Sequence, residues 1–288
     1  MILTFRETWR LPVLDNYKLI VLAGGFARCD HTWTKASTGI EQCYKLYVPT
    51  SGSACIGTDI GNVPLIPGQV YFISGFRLKT QSCANRMDIH WLHFMPESLY
   101  LRYLLDQTPP VQHWPCKEAG WGPEGCEELA HMFPPYNGRM QPPREDTQPA
   151  TACRIQGLLL VTISRLLRTL DTTALASFHP RYYLLKPAVD YMQSHYLRNP
   201  SLRDIAAQVN LAPNYFHRQF TALFNMSPLN YMMNQRLNKA RHLLSSTSLS
   251  VKEIAEAVGY ENPLYFSRVF SAEFDVSPSR YRISHFEA

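Results

Sequence analysis

"VKEIAEAVGYENPLYFSRVFSAEFDVSP", residues 251–278, decides how the second half of this chain folds, because "LRDIAAQVNLAPNYFHRQFTALFNMSP", residues 202–228, carries the same pattern earlier. The offset between the copies is 49 up to the middle and 50 after it, so one residue was gained between the halves. Leu202, Ile205, Ala206 and Val209 recur as Val251, Ile254, Ala255 and Val258. Their i, i+3, i+4, i+7 spacing lays apolar side chains along one helical face, so each copy opens with a short amphipathic helix. Ser201 with Asp204, and Ser250 with Glu253, fit the capping box in which two amide donors at a helix start are satisfied reciprocally. Asn210 and Gly259 then stand where a helix ends in the left-handed conformation, which these residue types tolerate.

A second helix follows in each copy. Asn262 and Pro263 supply a cap and a first-turn proline, whereas Ala212 before Pro213 has no side chain able to cap. Phe216, Phe220 and Phe224 are matched by Phe266, Phe270 and Phe274, an aromatic ridge facing the first helix. Ser227-Pro228 and Ser277-Pro278 start a third helix. Helix, tight turn, helix is the arrangement that sets a second helix into a DNA major groove while the first braces it. Stacked helical repeats are the competing reading, but two copies fall short of the three or so that a solenoid needs.

The stretch from Arg236 through "RLNKARHLLSS", "IAEAVGY", "YFSRVF" and "VSPSRYR" resembles the AraC/XylS family of bacterial transcription regulators over roughly the last hundred residues. The resemblance implies two helix-turn-helix units joined by one long helix, here Pro228 to about Leu244, with Leu237, Ala240 and Leu244 facing inward. Such a helix is a rigid spacer, and major-groove faces on one side of B-DNA recur roughly every 34 Å. By their match to the family's base-contacting positions, Asn214, His217 and Arg218 in the first unit and Leu264, Tyr265 and Arg268 in the second are the DNA-binding candidates. Arginine can bond guanine bidentately, asparagine adenine, and leucine or tyrosine can touch a thymine methyl. A solvated or helix-pairing charge is the alternative for the two arginines. The Ser-Pro helix starts should aim amides at phosphates. The partners implied are double-stranded operator DNA, a small-molecule effector, a second copy of the chain in a homodimer, and RNA polymerase.

Charge agrees with this placement. From residue 179 onward there are 12 Lys and Arg against 8 Asp and Glu, while residues 1–178 hold 16 against 15, so four of the five net positive charges fall on the repeat-bearing part. That excess favours phosphate contacts and salt-dependent affinity. With 288 residues the chain has room for about two domains. No run of eighteen or more apolar residues appears, and residues 1–10 lack an apolar core of signal-peptide length, so a cytoplasmic protein without a membrane partner is expected. Seven scattered cysteines, none in a C-x-x-C pair, read as reduced and mostly buried thiols, with a redox sensor as the alternative.

Residues 17–95 read as short strands, "YKLIVLAGG", "CYKLYVPTSG", "SACIGTDI", "QVYFISG" and "MDIHWLHF", separated by turn residues. Strands this closely spaced suggest a sandwich or small barrel. "LIPGQVYFI", a Pro-Gly turn between two apolar runs, resembles the cupin-type jelly roll that senses ligands in many AraC-family proteins. Catalytic cupins hold a metal through a His-x-His pair and a carboxylate. Here His90 and His93 are three apart on a strand and point to opposite faces, so neither metal, cofactor nor enzymatic activity is expected, and His90 reads as a surface or interlayer histidine. Ile89, Trp91 and His93 share a face. Trp91 falls where the resemblance implies an aromatic ring stacked on a sugar; ordinary barrel filler is the other reading. His93 beside it, and His31 in "ARCDHTWTK", are polar candidates for the same ligand.

Between the halves, "ESLYLRYLL" and "CEELAHMF" suggest short helices, and "FPPYNGRMQPPREDTQPA", residues 133–150, an exposed, mobile loop. The helix at about 153–170 is broadly apolar; it pairs with its counterpart in a second copy or packs on its own barrel. "PRYYLLKPAVDYMQSHYLRNPSL" opens the last domain, its helix ending near Asn199-Pro200. The expected fold class is therefore α+β and multidomain. A cupin-like β jelly roll occupies residues 1–125, a helical and proline-rich dimerisation and linker region 126–178, and an all-α tandem helix-turn-helix domain 179–288. The function expected is a DNA-binding transcription regulator, an activator responding to a small molecule, most simply a carbohydrate. Control by a protein partner, or a metal-dependent cupin enzyme fused to a DNA-binding domain, are the alternatives.

Overall fold

β-Branched and aromatic residues broken by glycine and proline turns build nine strands among the described residues of the computed structural model. Those residues are 17–36, 43–136, 143–144, 146–170, 172–274 and 276–286. The extreme N-terminus and the centre of the proline-rich loop, both interpreted from sequence above, lie outside them. The chain divides into two units, Met1–Leu170 and Asp171–Ala288.

In the first unit the strands are β1 (Leu19–Cys29), β2 (Lys35–Ala36), β3 (Tyr44–Gly52), β4 (Ala54–Thr58), β5 (Gly61–Leu65), β6 (Gln69–Ser74), β7 (Leu78–Ser82), β8 (Met87–Pro96) and β9 (Val111–Pro115). They form two antiparallel sheets, one ordered β1-β8-β3-β6-β9 and the other β2-β7-β4-β5. The five strands legible in the sequence are present. Four were missed, and each has a physical excuse. β2, β5 and β9 are edge strands, two of them containing proline, which edges tolerate. β7, "LKTQS", buries Gln81 where an apolar residue would have signalled alternation.

Period-two alternation on β8 divides the core. Met87, Ile89 and Trp91 join Tyr47, Ile56, Leu65 and Tyr71 in a cluster drawn from both sheets. Leu92 and Phe94 face the other way, into a second cluster with Tyr44, Leu46 and Phe72. Helices α1 (Leu99–Asp106), α2 (Cys116–Ala119), α3 (Pro123–Met132) and α4 (Pro149–Leu167) cover that face. α4 is long and apolar enough, by length and composition, to cross a membrane. Its stripe Ile155, Leu159, Ile163 and Leu166 instead completes the core of its own unit, each at or below 1% exposure, while Val161 faces out. Burying such a side chain contributes about 2 kcal/mol apiece relative to leaving it in water.

The second unit is helical: α5 (Thr172–His195), a one-turn helix Tyr196–Arg198, α6 (Leu202–Ala207), α7 (Pro213–Phe224), α8 (Pro228–Ser246), α9 (Val251–Ala257), α10 (Pro263–Phe274) and α11 (Pro278–Phe286). Both capping boxes form, Ser201 with Asp204 and Ser250 with Glu253. The Asn262 carboxamide caps α10 by accepting from the amides of Leu264 and Tyr265, while Ala212 offers α7 nothing. Asn210 and Gly259 take the left-handed conformation, with φ of 53° and 82°. The chain is thus a mixed α+β protein, β-rich first and helical last.

Candidate nucleic-acid interface and cavity

The phenylalanine ridges fix which faces of α7 and α10 stay free. Phe216, Phe220, Phe266 and Phe270 are fully buried, with Phe224 nearly so and Phe274 half-buried. Consecutive rings stand 4.6–5.7 Å apart along each ridge. With that stripe packed against α6 or α9, the opposite face must meet solvent. Asn214 and Arg218 are exposed on α7 and His217 is half-buried; Leu264, Tyr265 and Arg268 are all exposed on α10. Leu264 is 76% exposed and Tyr265 52%, adjacent on the first turn of α10. Tyr215, the counterpart of Tyr265 at the offset of fifty, was passed over in the sequence. It is 44% exposed, and the Arg218 guanidinium lies 5.7 Å from its ring centre. Its position in the repeat was signal enough to find it.

Spacing between the two faces is held by α8. Leu237, Ala240 and Leu244 on α8 are fully buried with Ile254, Ala255, Phe266 and Phe270 of the second unit. Nineteen residues at the α-helical rise span about 28 Å. Arg236, buried on the same helix, donates from Nε to the Tyr196 carbonyl at 2.6 Å and places its guanidinium 5.7 Å from the Tyr260 ring centre. Segment 196–199 also presses on the second turn: a Cβ at Gly259 would lie 2.5 Å from the Leu197 carbonyl oxygen. Ser227 and Ser277 cap α8 and α11, their hydroxyls accepting from the amides of Asn230 and Arg280.

A cavity of about 50 Å³ opens in the first unit, lined by Ala27, Cys29, Trp33, Lys35, Tyr47, Gln81, Ile89, Trp91, His93 and Tyr136. Trp91 and His93 therefore meet in one site, ring centres 4.8 Å apart. His93 Nε2 lies 3.3 Å from Nζ of Lys45, which is fully buried on β3, and 3.5 Å from the Tyr47 hydroxyl. His31 does not line it: that residue is exposed on the turn after β1, its carbonyl accepting from the Thr34 hydroxyl, while Trp33 and Lys35 from the same segment do line the cavity. His90 lies on the opposite face of β8, against Phe26, and burial lowers its pKa. Among the described residues no three His, Cys, Asp or Glu cluster as metal ligands. All seven cysteines are free; burial pushes the Cys29 thiol up to about 12 and that of Cys126 to about 11, which withholds the reactive thiolate.

Comparison with known proteins agrees with this geometry. Residues 205–284 match the family model described as a helix-turn-helix domain. The lactose operon transcription activator of Staphylococcus xylosus is 33% identical over 102 residues, 35% of this chain and 36% of that protein. The transcriptional activator RhaS of Escherichia coli is 32% identical over 126 residues, 42% of each. The match thus spans well under half the length of these relatives. The crystal structure of fatty-acid-bound ToxT from Vibrio cholerae is 12% identical with a TM-score of 0.52, covering 94% of this chain and 96% of that one, a likeness of fold. Over its C-terminal helix-turn-helix part, the chain is thus similar to transcription regulators of the AraC type.

Proposed function

We propose that this chain is a sequence-specific DNA-binding activator, responsive to a small molecule and acting on a carbohydrate-use operon. The observation that carries the reading is the pair of equivalent free faces, each bearing an exposed arginine, Arg218 on α7 and Arg268 on α10, mounted on one buried connecting helix. With Asn214, His217, Leu264 and Tyr265, these form two recognition surfaces for successive major-groove segments of double-stranded DNA. The first 125 residues serve as a cupin-like jelly roll that holds the effector at Trp91 and His93, with His31 at the neighbouring turn. Residues 126–178 act as linker and dimerisation region, and 179–288 as the DNA-binding domain. A homodimer would present two such grips, and contact with RNA polymerase would make it an activator, working in the cytoplasm where the promoter is. Two relatives are named as activators, one of them of a lactose operon. That supports the carbohydrate reading.

Capture of genomic fragments by the purified chain, with and without a pooled sugar mixture, tests this. Enrichment of promoters beside sugar-handling genes is the expected result. Recovery of fragments sharing no motif under either condition overturns it.

A further inference from the structure

α7 and α10 repeat one another closely in geometry but not in chemistry. Both run twelve residues, Pro213–Phe224 and Pro263–Phe274. The order of buried, half-buried and exposed side chains from 213 to 222 recurs without change from 263 to 272. What distinguishes their free faces is therefore carried by residue type. Asn214 on α7 stands where α10 has Leu264, and His217 where α10 has Ser267.

The two sets of groups suit different base edges. In the major groove a carboxamide pairs with adenine, donating to N7 and accepting from N6, and thymine alone presents a methyl group. Asn214 can make the first contact; Leu264, 76% exposed, can make only the second. Ser267 and Ser271 add no donor, because their hydroxyls donate to the carbonyls of Pro263 and Ser267 at 2.9 and 2.8 Å, the back-bonding open to serine within a helix. The tyrosines also differ in company. The Arg218 guanidinium lies 5.7 Å from the Tyr215 ring centre, whereas the Tyr265 ring stands 6.1 Å from that of Tyr260, in the turn before its helix.

We infer that α10 reads its DNA segment by contact of Leu264 with a thymine methyl beside a guanine bonded by Arg268, while α7 reads adenine and guanine through hydrogen bonds from Asn214 and Arg218. The two segments of the operator then differ in sequence although the units that grip them are copies. Leu264 is the specificity-determining residue of the second segment. The inference deepens the DNA-binding reading above and rests on it.

Selection of sites from a randomised duplex pool by the purified full chain supplies the probe. In the selected duplex each thymine is replaced in turn by uracil, which lacks only the methyl, and each adenine by 7-deazaadenine, which lacks the N7 acceptor. Loss of the methyl contact should weaken binding about fourfold, and loss of the adenine N7 contact about tenfold. The uracil-sensitive and deaza-sensitive positions should fall in separate segments roughly 10 base pairs apart. Leu264→Asn should abolish the uracil effect and select adenine in the second segment, and Asn214→Leu should do the converse in the first. Both side chains are exposed, so neither swap disturbs the core. A Leu264→Asn variant that keeps the parent's thymine sensitivity, or a selected site indifferent to uracil throughout, would overturn the inference and leave DNA recognition standing. A pool from which no common sequence emerges would remove the DNA reading and the inference with it.

Discussion

The guanidinium of Arg236 lies 5.7 Å from the centre of the Tyr260 ring, and its Nε donates to the Tyr196 carbonyl. One buried side chain on the connecting helix thereby touches the approach to the first helix-turn-helix unit and the turn of the second. The two helix-turn-helix units are held to each other by a polar clasp as well as by the apolar stripe of Leu237, Ala240 and Leu244.

Arg236→Met keeps much of the side-chain bulk but removes the donor. Losing a charge-assisted hydrogen bond should cost about 2 kcal/mol of stability in urea denaturation. Affinity for DNA carrying both contacted segments should fall more than affinity for DNA carrying one. Equal losses on the two DNAs would show that Arg236 only stabilises the fold.

Gly259 and Asn210 occupy equivalent turns with opposite constraints. Gly259→Ala forces a Cβ against the Leu197 carbonyl at positive φ and should cost more than about 1 kcal/mol. Asn210→Gly, at φ 53°, removes left-handed strain and should be neutral or stabilising by a few tenths of a kcal/mol. Equilibrium unfolding of the two variants measures both signs.

The carboxyls of Asp204 and Glu253 are held below their ordinary values by hydrogen bonds from Ser201 and Ser250. Groups depressed on folding contribute fully above the unfolded carboxylate pKa of about 4. That contribution fades as pH drops through the lower folded values. The Asp204→Asn, Glu253→Gln double variant should therefore lose stability at pH 7 and show a flatter stability profile below pH 5. An unchanged acid limb in that variant would assign the acid sensitivity to other groups.

Much of this was legible because the helical half obeys local rules. Ser-x-x-Asp/Glu at 201–204 and 250–253, Asn-Pro at 262–263 and the phenylalanine ridges each specify structure within a few residues. The β half does not. Its missed strands are edges or, in β7, carry inward Gln81, a polar residue whose burial makes sense only once the facing sheet is known. The cavity followed the same divide: Trp91 and His93 could be paired by alternation on one strand, while Trp33, Lys35, Tyr47 and Gln81 come from three other elements and one turn. Lys45 was invisible as a buried cation because alternate positions on β3 are buried on both faces.

Base contacts by the two arginines carry the central claim, and chemical interference footprinting of captured promoter DNA with Arg218→Ala and Arg268→Ala tests it most directly. Each variant should lose about 1–3 kcal/mol and relax specificity at its own base position. The two affected positions should lie about one helical turn, roughly 10 base pairs, apart. If both variants protect the same bases with the affinity of the parent chain, α7 and α10 do not read DNA through these side chains.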